Sequence, residues 1–148
     1  MSNVFAGPAL PLPAGIPRGF ATYAPAGEPV IVRHALGYDA FVELVGVEHA
    51  RQMSAEAALE EIVSRARAIR KSRHDLERSA VIFLGNKITE ELPNAEWRAY
   101  GTSGLEITTG IVAYDVVAAV RSACEGSKDP REGLRRFLAM ARGAGPAG

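Results

Sequence analysis

From residue 54 onward, apolar side chains recur at the spacing of one helix face. Leu59, Ile62, Val63, Ala66, Ile69, Leu76, Ala80 and Phe83 form such a stripe, interrupted by Arg73. Ser54 is placed to cap its start, and Glu56 lies in the first turn. The pattern predicts a helix over 55–78 that continues as far as 84. At 1.5 Å per residue it would be about 45 Å long. Its rival is a break near Ser79 followed by a buried strand at 80–84. Glu61 and Arg65 stand at i,i+4 for an ion pair.

The flanking segments are shorter. Val30-Ile31-Val32 suits the opening of a strand. Tyr38, Phe41, Val42 and Val45 recur at helical spacing and favour a short helix over 38–45, with a strand as the alternative. Residues 86–92 read as a further helical piece, ended by Pro93. Residues 95–100 suit one helical turn carrying Trp97, and 105–109 suit an extended segment. Thr109 is a candidate cap for an apolar helix over 110–124, where Val112, Val116, Val120 and Cys124 form one row. Asp129, Pro130 and Glu132 bring a cap, a first-turn proline and a capping-box acid into register. The helix they open buries Leu134, Phe137, Leu138 and Ala141 and stops at Gly143.

The picture changes at the N-terminus. Residues 1–29 hold six of the nine prolines and only two charges, Arg18 and Glu28. Proline locks φ and lacks an N–H, so an extended arm is expected rather than helix or central strand. Its apolar residues include Phe5, Leu10, Leu12 and Phe20, which suit contact with a groove of this chain or a partner. The expected organisation is an arm over 1–29, one mainly helical domain over 30–142 and a tail over 143–148. The fold class is mainly α, with a long central helix and minor β segments; an α+β arrangement is the alternative.

Composition then removes whole classes. The chain has 148 residues, 17 basic and 17 acidic side chains, and a formal net charge of zero. No global field draws it to nucleic acid or to an anionic membrane. Its longest helix-compatible apolar run, broken by Asp115, is far below the roughly 20 residues that span a bilayer. Arg18 is the first charge, and the Gly- and Pro-rich stretch before it does not make the apolar core of a signal peptide. With one cysteine, Cys124, no intrachain disulfide forms. A reducing, cytoplasmic setting is expected.

Candidate chemistry is sparse. His34, His49 and His74 have no metal-ligand spacing, and no Walker A or dinucleotide-binding glycine pattern occurs. No cofactor or metal is expected. Glu90, Glu91 and Glu96 read as helix-face acids. Asp115 interrupts an apolar run and needs a partner if buried. With Trp97 and Tyr100 it outlines a candidate pocket, the basis of a hydrolase, isomerase or lyase alternative. The strongest charged feature is the acid-free stretch 64–73, in which Arg67, Arg70 and Lys71 suit contact with an acidic partner. Nucleic acid is the less favoured ligand of that face. The reading these features support best is a non-catalytic assembly or accessory protein. It would act by self-association or by binding a larger protein.

Overall fold

The computed structural model describes residues 30–32, 39–72, 75–92, 94–100, 104–109 and 111–143. The arm, with Phe5, Leu10, Leu12 and Phe20, lies outside them, as do His34, His74 and residues 144–148. The described chain is mainly helical, with a small antiparallel sheet. Its elements are β1 (Val30–Val32), α1 (Asp39–Val45), α2 (Val47–Gln52), α3 (Ala55–Ser64), α4 (Ala66–Lys71), α5 (Asp75–Glu91), β2 (Glu96–Tyr100), β3 (Gly104–Thr108), β4 (Ala113–Asp115), α6 (Val116–Cys124) and α7 (Asp129–Gly143).

The single long helix expected from residue 55 is instead three helices. Two serine hydroxyls mark the interruptions. Ser64 Oγ donates to the Glu61 carbonyl at 2.9 Å, and Arg65 then leaves helical geometry at φ −108°, ψ 15°. Ser72 Oγ donates to the Ile69 carbonyl at 2.7 Å and accepts from the Leu76 amide at 3.1 Å. It thereby closes α4 and supports the start of α5. Such hydroxyls compete with the backbone for helical carbonyls, which apolar spacing does not reveal. The first junction is a kink rather than a separation, because the Arg65 amide still reaches the Glu61 carbonyl of α3 at 3.1 Å while the Arg65 carbonyl accepts the Ile69 amide of α4.

No break occurs at Ser79. Residues 79–88 are all buried, so α5 is the central helix and packs on α1, α3, α4, α6 and the sheet. The strand alternative at 80–84 and the separate helix at 86–92 are both replaced by this one element. Ser79 earns its burial by accepting the free Phe41 amide in the first turn of α1, at 2.7 Å.

The sheet order is β1-β2-β3-β4, all antiparallel. Glu96–Tyr100 therefore forms a strand where a helical turn over 95–100 was expected. Glu96-Trp97-Arg98 alternates polar and apolar, and Trp97 pairs with Ile107, which pairs with Tyr114. Those three buried side chains make the face that meets the helices. The expected extended segment near 105–109 is β3. The apolar run over 110–124 divides into β4 and α6. Asp115, not Thr109, caps the helix, accepting from the Ala118 amide at 2.9 Å. Thr109 Oγ1 instead accepts from the Val112 amide at 3.3 Å in the β3–β4 connection.

The core joins helices to sheet at α5 and α7. Trp97 is fully buried and donates from Nε1 to Asn86 Oδ1 at 2.8 Å. Phe41 and Phe83 rings lie 5.2 Å apart, and Tyr114 lies 5.6 Å from Phe137. The Tyr114 hydroxyl donates to the Pro130 carbonyl, tying β4 to the proline in the first turn of α7.

Candidate functional site

The kink between α3 and α4 determines which side chains meet on the surface. Inward, Ala55, Ala58, Leu59, Ile62 and, across the kink, Ile69 enter the core. Outward, Ser64, Arg67, Ala68 and Lys71 follow the i, i+3, i+4, i+7 spacing of one helical stripe. The stripe sets a row of small residues, Ser64 and Ala68, beside a row of long cations, Arg67 and Lys71. With Arg65 it lines an open depression of about 360 Å³. No acidic residue belongs to that lining among the described residues.

Glu61 stands behind the depression. It takes Arg65 Nε at 2.7 Å on one oxygen and His49 Nε2 at 3.3 Å on the other. The Arg65 hydrogen bond is the main reason its carboxyl is held below the usual carboxylate range; partial burial opposes that shift and His49 adds to it. The i,i+4 pairing read from sequence is thus present, and it holds Arg65 through Nε.

Arg67, Arg70 and Lys71 are exposed, and none has an acidic side chain within ion-pair distance among the described residues. They share this with Lys128, Arg135 and Arg136, which are exposed and likewise without an ion pair among the described residues, whereas other arginines are tied to acids. Arg51 pairs with Glu48, Arg98 with Glu106, Arg121 with Glu77, Arg131 with Glu60 and Arg142 with Glu91. Arg67 and Lys71 share the depression, but Arg70 does not line it. Its charge acts instead towards Cys124, a buried thiol pushed up chiefly by burial. Ser64 and Ala68 belong to the depression and are not singled out by a search for charge runs, whereas Arg65 lies within the acid-free run 64–73. The signal was present in the spacing of small residues between cations.

The other candidates are dispersed. Trp97 lies on the helix-facing side of the sheet. Asp115 belongs to the opposite row, paired in register with Glu106, and spends its carboxylate on the α6 cap. Tyr100 ends β2 opposite Gly104, and its side chain lies outside the described structure. Trp97 and Asp115 are therefore not brought together. Glu90 approaches Lys87 Nζ at 3.6 Å, while Glu91 receives the Ala55 amide at the start of α3 and Arg142 from α7. Lys87 is buried, donates to the Arg51 carbonyl at 3.2 Å and lies over the Phe83 ring. Burial drives its pKa down, but these contacts make it a tie between α2 and α5.

Among the described residues no group of three His, Cys, Asp or Glu side chains is arranged to hold a metal ion. No helix among them is long and apolar enough to cross a membrane. No protein-family model, curated protein or solved structure matches the chain.

Proposed function

We propose that the chain is a non-catalytic accessory or assembly protein that docks a larger protein through the α3–α4 stripe. The observation that supports this reading is the depression flanked by Arg65, Arg67 and Lys71 with no acid in its lining among the described residues. Arg67 and Lys71, exposed and without an ion pair among the described residues, favour a partner that supplies negative charge beside the Glu61-held Arg65. An acidic protein segment fits an open, shallow face better than a small substrate, which needs enclosure to be oriented and desolvated.

The test is fluorescence anisotropy with a labelled oligo-glutamate peptide at low salt. Saturable binding that weakens as salt rises is expected, with loss in the double variant R67E/K71E. Binding that survives that charge reversal, or no binding at low salt, would overturn the proposal. Preference for a DNA oligonucleotide, lost in the same variant, would replace it with the nucleic-acid alternative.

A further inference from the structure

Resting on the docking reading above, we propose that the depression recognises a phosphate monoester dianion carried on a side chain of the partner protein. The charge balance favours a dianion over a carboxylate. Arg65, Arg67 and Lys71 supply three positive charges at the depression, and Glu61 behind Arg65 offsets one. The remaining two match a phosphate monoester, which carries about −1.5 to −2 at pH 7. A glutamate of the partner would leave one cation without a counter-charge.

Geometry supports the same choice. Ser64 and Ala68 are short, so an anionic group can approach the helix surface between the long side chains. The Ser64 hydroxyl proton is already committed to the Glu61 carbonyl. Donation to the ligand therefore falls to the guanidinium and ammonium groups. Arg65 is held through Nε by Glu61, which leaves its two terminal nitrogens outside that hydrogen bond, and the residue lines the depression. Three phosphate oxygens can engage Arg65, Arg67 and Lys71 together, whereas a carboxylate has two. The depression, at about 360 Å³ and open, is larger than a phosphate group alone. It has room for the residues that flank a phosphorylated side chain.

One peptide sequence in three forms tests this with the full chain: serine, glutamate or phosphoserine at its centre, in an otherwise mildly acidic sequence. The phosphoserine form is expected to bind about tenfold more tightly than the glutamate form. R67Q/K71Q should erase that preference, and the charge-matched control K128Q/R136Q, at exposed sites away from the stripe, should keep it. Circular dichroism establishes that both variants fold. Equal binding of glutamate and phosphoserine forms overturns the phosphate inference and leaves the docking reading intact. No binding of either form overturns both. Inorganic phosphate that binds as tightly as the phosphopeptide overturns the side-chain-borne source in favour of a free-ion site.

Discussion

Gly85 lies under the Trp97 indole, where α5 meets β2. A Cβ built on it would sit 2.1 Å from the ring atoms Cζ2 and Cη2, so either the ring or the helix would have to move. Both are fully enclosed, and neither can do so cheaply. Gly85→Ala is expected to lose about 3 kcal/mol of stability in urea denaturation, at the upper end of overpacking costs. Gly133 in α7 is the internal comparison. Its added Cβ would meet Tyr114 Cε1 at 3.7 Å, an ordinary contact. Gly133→Ala should therefore stabilise by up to about 1 kcal/mol through helix propensity. Equal effects of the two substitutions would show that the indole does not fill the space above Gly85. Neither behaviour follows from the sequence, which places Gly85 between two helical segments and Gly133 inside one; what the fold puts opposite each decides the outcome.

At the scale of elements, Asp115 carries the separation of β4 from α6. An uninterrupted helix over 110–124 would place a carboxylate in mid-helix. The observed cap puts it where backbone amides lack partners. Asp115→Ala should lower stability by about 1 kcal/mol in thermal unfolding, and Asp115→Asn should recover most of that loss by keeping an acceptor. An alanine variant as stable as the parent would contradict the capping role. This element also shows where legibility ended. The position of the α7 start was readable because Asp129, Pro130 and Glu132 are signals within one turn, although Asp129 opens the helix rather than preceding it. The β1 and β3 segments and the α1 helix were readable from short apolar patterns. The strand β2 was not, since five residues beside a proline fit a helical turn as well as a strand until β3 supplies the pairing. The α3–α4–α5 division was hidden for a different reason: apolar spacing continues across Ser64 and Ser72, and only their hydroxyl bonds to i−3 carbonyls end the helices. The depression was half legible. Its cations, Arg65 among them, stood out as an acid-free run, but that Arg70 stays outside the lining depends on the fold.

Across the whole molecule, carboxylates join helices that are distant in sequence. Glu60 on α3 receives Arg131 of α7 through Nε and Nη2, and Glu61 binds Arg65 and reaches His49 of α2. Hydrogen bonds from Arg131 and Arg65 respectively are the main cause holding the two carboxyls below their ordinary range. The unfolded chain takes up protons at these positions at a higher pH than the folded chain does. Their stabilisation is therefore complete above the unfolded value of 4.5 and is lost as pH falls through the lower folded values. Urea titrations from neutral to acid pH should show a shallower loss of stability below about pH 4.5 for E60Q/E61Q than for the parent. Parallel curves would assign the acid limb to other groups. Neutral-pH differences should stay small, because Glu60 is largely solvent-exposed and such pairs contribute about 0–1 kcal/mol.

The chain has one tryptophan, and it is the side chain sealed between α5 and the sheet. Its ultraviolet emission is consequently a built-in optical gauge of whether the two layers are joined. Water reaches the indole only when they part, and the spectrum then shifts to the red. The cationic stripe lies on an exposed helical surface, so a ligand seated there does not touch the fluorophore. A titration monitored at Trp97 alongside a labelled peptide would thus separate loss of the fold from loss of recognition in a single sample.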